Sequence, residues 1–473
     1  MRPARSAAVL ASLMLSACMG GPKPDVRLPP AYEAKGGDLP AERLDRWWTT
    51  FDDPQLVSLI DKALVEAPDA RAAAARLTEA RATGREALTT FLPQGNATGS
   101  AKRTHTRQIE GPTLNIPGYT LSGTSDAYAS NFQVSWEMDL FGRFFATREG
   151  YKGDTAAARF SYEGARTSLA ASIADSYFQA RGLAIQLDDA NETVRIEREL
   201  YSVAQAKADR GLGPGADADR AAGELAQAES QAESLQAQLK AAQRSLLVLV
   251  GRGADPLADM PTPASVGTIP QVPTTVPGEL LERRPDVREA DARIRSAVGR
   301  RAYDRLAFFP TFKLTPGLGL SRSVQPAYEY ATGDWSIGAT ATVPVLDIPK
   351  LLLELKAQNA RTEQAVIAYE KAVQTAYGEA DSALVQLAAD RKRVTLLTDG
   401  EARAHRAFDA SSRAYKDGLT DLQTTLSAEQ SWRSARSQLT AAQVQGLRRA
   451  VQTYKALGGG WSAEPIKTAQ KAP

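Results

Sequence analysis

Few side chains in this sequence have the types and spacing that enzyme or metal chemistry requires. The chain has two histidines, His105 and His405, and the surrounding patterns place the first in a loop region and the second on a helix. A protein metal site needs several ligands brought together, and these two rings would have to meet to supply even a pair. We therefore predict no catalytic site and no metal site, and we expect a protein that is not an enzyme.

A glycine-rich segment at 211–215, Gly-Leu-Gly-Pro-Gly, superficially resembles a phosphate-binding loop. Such a loop follows a strand and ends in Lys and then Ser or Thr, and this segment has neither feature. A turn between two helices is the preferred interpretation, because glycine adopts the positive φ that reverses a chain at a helix end. The sequence therefore predicts no cofactor here.

The single cysteine, Cys18, lies where an exported bacterial chain would be lipidated. Arg2 and Arg5 precede a short apolar stretch, which ends in Leu-Ser-Ala-Cys at 15–18 and looks like a lipobox. The pattern predicts a signal peptide and a lipid, including palmitate, on Cys18. Met19 rather than Asp follows the cysteine, which favours sorting to the outer membrane. The alternative is an ordinary signal peptide with a chance cysteine, and a lone cysteine excludes an intrachain disulfide in either case.

The charge balance argues against nucleic acid as a partner. Lys and Arg number 57 against 55 Asp and Glu, which gives a formal net charge of +2. Binding to phosphate backbones needs a clear basic excess. No run of about 18 apolar residues follows the first twenty positions, so any membrane crossing would have to use strands.

The chain repeats itself. Pro-Asp-Ala-Arg at 68–71 matches Pro-Asp-Val-Arg at 285–288, and Gly-Leu at 211–212 matches Gly-Leu at 418–419. Several matches in one order predict two structural repeats of roughly 200 residues. Each repeat is expected to contain a helix, two strands, a very long helix, a turn and another helix.

The predicted strands carry apolar residues at every second position. Phe132, Val134 and Trp136 alternate with polar residues, as do Trp335 and Ile337 in the second half. Alternation over about ten residues is typical of a tilted strand that crosses a bilayer. It is equally typical of a half-buried strand in a soluble sheet, and the strands alone leave both readings open.

The long helices, predicted at 143–210 and 351–417, carry coiled-coil seams. A helix of about 67 residues spans about 100 Å. Shorter helices are expected at 68–92, 217–250 and 285–309, and the two of the first half together match the long helix in length. Apolar residues spaced by three and four form the second seam, which includes Val366, Tyr369, Val373, Ala376, Ala380, Ala383, Leu387, Val394, Leu397, Phe408 and Tyr415. Asp390 and Glu401 interrupt it.

Four strands are too few to close a membrane barrel. An open edge in lipid would leave backbone groups unsatisfied, so other copies of the chain must complete the sheet. Two copies would give eight strands, whose interior side chains fill, whereas three copies give twelve strands, which leave a channel.

The sequence resembles the TolC-like outer-membrane factors, specifically the OprM/NodT-type lipoproteins of RND multidrug efflux systems. The resemblance runs from Trp47 to Trp461 and is carried by four motifs in one order. They are Trp47-Trp48 with Phe-Asp-Asp-Pro-Gln-Leu at 51–56, Asp-Leu-Phe-Gly-Arg at 139–143, Arg-Arg-Pro-Asp-Val-Arg at 283–288 and Tyr-Lys-Ala-Leu-Gly-Gly-Gly-Trp at 454–461.

The resemblance implies a membrane α+β fold. Three protomers would form a twelve-stranded transmembrane β-barrel, with four strands from each, continued by a twelve-helix periplasmic α-barrel. It also implies an exit duct of a tripartite efflux pump, which passively exports drugs or other small toxic compounds. The implied partners are an inner-membrane RND pump, a periplasmic adaptor and outer-membrane lipid.

The predicted domain layout follows the repeats. It consists of a signal peptide at 1–17, a lipidated extended segment at 18–50, periplasmic helices at 51–92, a membrane hairpin at 93–142, a coiled-coil helix pair at 143–251, a linker and equatorial segment at 252–284, a periplasmic helix at 285–309, a second hairpin at 310–346, a second helix pair at 347–461 and a disordered tail at 462–473.

The resemblance also assigns roles to the two helix turns. In the family these tips meet the adaptor and close the entrance, which implies adaptor binding by Gly211, Leu212, Gly418 and Leu419. The family often places aspartate rings just inside the tip, and the matching positions here are Thr424 and Ser427. The gate candidates are Asp209, Arg210, Tyr415, Asp417, Asp421, Thr424 and Ser427. We expect Tyr415 and Asp421 to help to hold the closed state.

Two other functions fit a chain of this design. One is the outer-membrane duct of a type I protein secretion system, which shares the fold. The other is a structural lipoprotein with coiled-coil stalks and no pore. The lipobox and the Gly-Gly-Gly-Trp ending favour the efflux duct over the secretion duct.

Overall fold

The structure is a computed structural model that describes residues 24–33, 44–107, 109–110, 122–273, 277–325 and 328–462. The predicted signal peptide, Cys18 and residues 463–473 of the predicted tail lie outside the described residues. A 3₁₀ helix spans Trp47–Phe51. The α-helices longer than four residues are α1 (Pro54–Glu66), α2 (Pro68–Thr89), α3 (Arg143–Asp209), α4 (Gly215–Leu249), α5 (Pro285–Leu306), α6 (Ile348–Lys416) and α7 (Leu422–Ala456). The strands are β1 (Gln94–Thr106), β2 (Gly123–Met138), β3 (Thr311–Val324) and β4 (Glu329–Thr342).

The chain divides into two compact units, here called the strand unit and the helix unit. The strand unit contains Thr78–Ala157 and Asp291–Ala368, and the helix unit contains Asp25–Leu77, Ala158–Ala290 and Tyr369–Pro473. Helices α2, α3, α5 and α6 contribute residues to both. Within the described residues, no helix combines the length and the apolar character needed to cross a membrane.

The strand unit contains one antiparallel sheet in the order β1-β2-β3-β4. The register aligns alternating rows across the sheet. One row contains Ala97, Phe132, Leu318 and Trp335, and the next contains Asn96, Gln133, Gly317 and Ser336. The period-two pattern therefore produces one apolar and one polar face.

The apolar face is not covered by the rest of the described chain. Trp335 is 76% exposed, Leu320 66% and Ile337 67%. A soluble sheet would bury this face against its own core, so the exposure contradicts the soluble alternative that the strand pattern left open.

The motif Asp-Leu-Phe-Gly-Arg joins the sheet to helix α3. The carboxylate of Asp139 accepts hydrogen bonds from the backbone N–H groups of Gly142, Arg143 and Phe144 at 2.8–2.9 Å, which satisfies donors that the first helical turn leaves free. Gly142 has a φ of +86°, which glycine adopts without steric cost. The side chain of Arg143 donates to the carbonyl oxygens of Leu306 and Phe309 at 3.0 Å and so caps the end of α5.

The other three motifs meet in the core of the helix unit. Trp47 is fully buried and stacks on Tyr454 with ring centroids 5.6 Å apart. The guanidinium of Arg284 donates to Asp286 at 2.6 Å and to Glu379 at 2.7 Å. The indole N–H of Trp461 donates to the backbone carbonyl oxygen of Arg283 at 2.8 Å. These motifs therefore hold helices together rather than form a reactive centre.

Three predicted helix boundaries are wrong by three residues: the start of α6, which lies at Ile348 rather than at 351, and the ends of α2 and α5. We expected α2 to reach residue 92 and α5 to reach residue 309, but they end at Thr89 and Leu306. The backbone N–H of Leu92 donates to Thr89, and that of Phe309 donates to Leu306. Each is a 3₁₀-type turn that directly precedes a proline, Pro93 or Pro310. Proline disfavours the helical conformation of the residue before it, so the helices end early.

Helices α3 and α5 cross with almost no space between their backbones. In the strand unit, a Cβ atom added to Gly299 would lie 2.3 Å from the backbone nitrogen of Gly150. The side-chain hydroxyl of Ser296, one turn earlier, donates to Asp154 at 2.6 Å. Only glycine at 299 permits this separation.

We predict that Gly299→Ala destabilises the protein by about 1–3 kcal/mol, the usual cost of overpacking a tight contact. The matched control is Gly223→Ala on α4, where an added Cβ meets nothing within 4 Å. That change should leave stability unchanged or raise it by up to about 1 kcal/mol through better helix propensity. Thermal unfolding of the detergent-solubilised protein checks this, and equal midpoints for the two variants would contradict the close crossing.

Candidate functional site

The two helix turns of the helix unit have the same backbone geometry. After α3, Gly211 has a φ of +67°, and the backbone N–H of Leu212 donates to the carbonyl oxygen of Lys207 at 2.8 Å. After α6, Gly418 has a φ of +77°, and the backbone N–H of Leu419 donates to the carbonyl oxygen of Ala414 at 2.8 Å. Bonds of this span across a glycine with positive φ form the Schellman ending of a helix. The interpretation of 211–215 as a turn between helices is therefore confirmed.

Each turn exposes a leucine beside its glycine. Leu212 is 74% exposed and Leu419 is 80% exposed. Large apolar side chains at the apex of a turn cost free energy in water unless a partner covers them. The structure leaves both leucines accessible, and their role in adaptor binding stays a prediction.

Tyr415 is the one gate candidate that the chain buries. Tyr415 is only 4% exposed, and the ammonium of Lys207 lies 4.0 Å from the centroid of its ring. Lys207 also donates to the Tyr415 carbonyl oxygen at 3.3 Å. Burial, and then the nearby Asp217, raise the pKa of the Tyr415 phenol, so it remains neutral at physiological pH.

Two further contacts join the first helix pair, α3 and α4, to the second pair, α6 and α7. The ammonium of Lys416 donates to Glu199 at 2.6 Å. The guanidinium of Arg220 donates to the side-chain oxygen of Gln423 at 2.5 Å. Together with the contact between Lys207 and Tyr415, they form what we call the lateral ties, which connect the two pairs just inside the tips.

Asp421 has a structural role that its charge alone did not reveal. Its carboxylate accepts from the Thr424 backbone N–H at 2.7 Å and caps the start of α7. This hydrogen bond, followed by one from the Thr424 side chain, lowers the pKa of Asp421. The contribution of the cap to stability is therefore present above the pKa of the unfolded group and is lost as the pH falls through the folded value.

The remaining gate candidates lie on the surface of this chain. Asp209, Arg210, Asp417, Thr424 and Ser427 are exposed, and Asp209 accepts from Gln205 at 2.8 Å. Their gate role stays a prediction.

The histidines do not meet. The structure places His105 on β1, not in the loop that we expected, because β1 extends to Thr106; the ring lies 3.1 Å from the Thr124 hydroxyl. His405 stacks on Trp432 at 4.6 Å. Within the described ranges, no group of three or more His, Cys, Asp or Glu residues is placed to hold a metal ion.

The structure accounts for the two acidic residues that interrupt the second seam. Glu401 accepts from the indole N–H of Trp432 at 2.8 Å. Asp390 lies 3.6 Å from the guanidinium of Arg449. Both carboxylates therefore pair with a side chain of the facing helix α7 and do not interrupt its packing.

These folds and sites define a TolC-like outer-membrane channel, with a β domain and a helical domain. The family model described as outer membrane efflux protein matches residues 59–252 and 276–459, and the chain belongs to this family. The resemblance predicted from the four motifs is confirmed.

Curated relatives extend along nearly the whole chain. The pyoverdine export outer membrane protein OpmQ of Pseudomonas aeruginosa is 27% identical, over 98% of this chain and 98% of its own length. The toluene efflux pump outer membrane protein TtgC of Pseudomonas putida is 27% identical, over 94% of this chain and 91% of its own. The protein is thus an efflux duct of the outer membrane. Its family and relatives are channel proteins rather than enzymes.

A solved structure has the same fold. The outer-membrane channel OprN is 26% identical and matches with a TM-score of 0.77, over 94% of this chain and 100% of that chain.

Proposed function

We propose that three copies of this chain form the exit duct of a tripartite efflux pump. In this proposal four strands from each copy close a twelve-stranded barrel, and the helices of the two internal repeats build a twelve-helix periplasmic tunnel. An inner-membrane RND transporter passes small toxic compounds to the duct through a periplasmic adaptor. The duct itself transports passively.

The observation that carries the proposal is a sheet with an exposed apolar face and two open edges. In the described part of the chain, the outer edges of β1 and β4 pair with no other strand. Each unpaired backbone group in hydrocarbon costs several kcal/mol, so the edges need partner strands. Four strands from each of three copies give twelve, which surround a channel rather than a filled core.

The polar face of the sheet would line this channel. Asn96, Gln133, Gly317 and Ser336 form one of its rows, with small or neutral side chains. The same face also carries charges of both signs, on Lys102, Glu137, Lys313 and Asp334. A lining of neutral groups and mixed charges favours no single chemical class, which suits a passive duct. The names of the relatives include both pyoverdine and toluene, and support a cargo of diverse small molecules.

We assign the closed state of the entrance to the lateral ties. Contacts between the helix pairs must break if the pairs are to move apart, and Tyr415 provides the most buried of them. In a trimer each contact occurs three times around the axis, which multiplies its effect on the entrance. The exposed candidates Asp209, Arg210, Asp417, Thr424 and Ser427 would ring the same constriction.

Leu212 and Leu419, with Gly211 and Gly418, are proposed as the adaptor contact. Near the N-terminus of the chain, we propose that a lipid on Cys18 anchors the protein to the outer membrane. The described N-terminal residues support an extended segment along helix α6, because the backbone N–H of Glu33 donates to Asp381 at 2.9 Å.

Deletion of the gene in its own bacterium tests the function. We expect at least a several-fold increase in susceptibility to some members of a panel of antibiotics, solvents and metal ions, restored by the intact gene. Complementation with Leu212→Asp and Leu419→Asp together should fail although the protein is present in the membrane, because charge at both tips disfavours an apolar contact. A deletion that changes only the secreted proteins would favour the type I alternative.

The gate assignment predicts a leaky channel when the central tie is removed. Lys207→Met and Tyr415→Ala should each raise the single-channel conductance of the reconstituted protein and the entry of large antibiotics into cells. Asp421→Asn keeps an N-cap on α7 but removes the charge, so it separates the capping role of that residue from any effect of its charge on the closed state. Unchanged conductance in the double variant Tyr415→Ala/Asp421→Ala would show that neither residue holds the closed state.

A further inference from the structure

Two glutamates are buried in the helix unit just inside the tips. Glu197 on α3 is fully buried, and Glu429 on α7 is 1% exposed. Glu429 follows the first residue of its helix, Leu422, by about two turns. Apolar residues of α3, α4, α6 and α7 form a core cluster at this level, which includes Leu200, Ala221, Phe408 and Trp432.

These two carboxylates have too few partners for two negative charges. One oxygen of Glu429 lies 3.1 Å from the guanidinium of Arg433. The other oxygen of Glu429 and both oxygens of Glu197 have no hydrogen-bond partner among the described residues. A buried ionised carboxylate without a partner is costly, because the protein interior does not replace its hydration.

The charged groups on the surrounding helices do not supply the missing partner. Helix α4 contributes Glu224, which repels both carboxylates. On α6, Glu401 accepts from Trp432 and His405 stacks on the same indole. On α7, the second arginine of this region, Arg436, is paired with Asp189 of α3.

A proton bound to one of the two carboxyl groups would leave a single negative charge, which Arg433 can balance. Burial raises the pKa of Glu429 to about 7, and the lowering effect of Arg433 is opposed by Glu197 and Glu224. Burial also raises the pKa of Glu197, with Arg433 as the opposing charge. The protonated form of the pair therefore persists far above the pH at which an ordinary glutamate ionises.

We propose that Glu197 and Glu429 form a proton-binding site in each protomer, which makes the packing of α3 against α7 near the duct entrance sensitive to periplasmic pH. With the proton bound, one guanidinium balances the remaining charge and the helices stay packed. When the proton leaves, two carboxylates share Arg433, repel each other and push the two helices apart. Each lateral tie has one partner on α3 or α7, the helices that deprotonation pushes apart, so deprotonation strains the ties and favours opening. This effect on the entrance rests on the proposed duct function.

Single-channel conductance of the reconstituted full-length protein tests the coupling. The pH is varied from about 5.5 to about 8.5, which brackets a carboxyl group that titrates near neutrality. We expect conductance to rise with pH, with the ratio of open to closed channels changing up to about tenfold per protomer for each unit by which the pKa differs between the two states. Glu429→Gln and Glu197→Gln should each abolish this response and keep the low-pH conductance, since glutamine mimics a protonated carboxyl.

The matched control is Glu233→Gln, an exposed glutamate of α4, which should retain the response of the unaltered protein. Infrared difference spectra of the same samples read the proton directly. A protonated-carboxyl band that disappears near neutral pH is expected in the unaltered protein and in the control, and it should be absent from both variants. Should one variant fail to assemble, the other decides.

Two results would overturn the inference. One is a conductance that does not vary over the pH range or varies equally in the glutamine variants. The other is a carboxyl band that titrates only at acidic pH. If the unaltered protein forms no channel at all, the duct proposal fails instead, and the infrared titration still decides whether the proton site exists.

Discussion

The outer edges of strands β1 and β4 carry backbone N–H and C=O groups that the described part of the chain leaves without strand partners, while one face of the same sheet exposes Trp335, Ile337 and Leu318. Water would satisfy the edges but not the apolar face, and lipid would satisfy the face but not the edges. A closed cylinder made from several copies satisfies both. The length of the strands, their alternation and the outer-membrane location of the family all agree with this constraint.

The helices obey a second constraint, which is close approach. Alanine fills many seam positions, and glycines allow α3 and α5 to cross at backbone contact distance. The family motifs contribute packing and capping, as with Asp139 at the start of α3 and Trp47 against Tyr454. The charged groups near the tips form the lateral ties, which connect the first helix pair to the second. In the proposed duct, opening requires these ties to break while the packing and capping contacts persist.

Much of the fold could be predicted from the sequence because it follows from periodicity. A period of two identified the strands, and a seam spaced by three and four identified the long helices. Strand β1 gave a weak signal because its positions on the apolar face include Gly95, Ala97 and Gly99, which are small rather than apolar and large. This weakness also explains why His105 was expected in a loop.

The functional contacts were less predictable, because they join residues far apart in the chain. Nothing in the sequence pairs Lys207 with Tyr415, or Arg220 with Gln423. Glu197 did leave a signal. When the seam of the second long helix is transferred to the first through the internal repeat, Glu197 occupies a seam position between Val194 and Tyr201, where apolar residues are typical. An acidic residue in a seam indicates either a partner on the facing helix, as for Glu401, or a buried charge that must find a proton.

Cross-linking of β1 to β4 between copies tests the closed cylinder most directly. Thr98→Cys is combined in turn with cysteine at Thr332, Ser336 and Thr340, all on the polar face, and the membranes are oxidised. The account predicts a covalent product with the mass of three chains for at least one pair. The positive control, Asn131→Cys with Gly319→Cys, joins neighbouring positions of β2 and β3 within one chain. If the control forms while every pair between β1 and β4 yields only single chains, the edges are not joined between copies and the account is wrong.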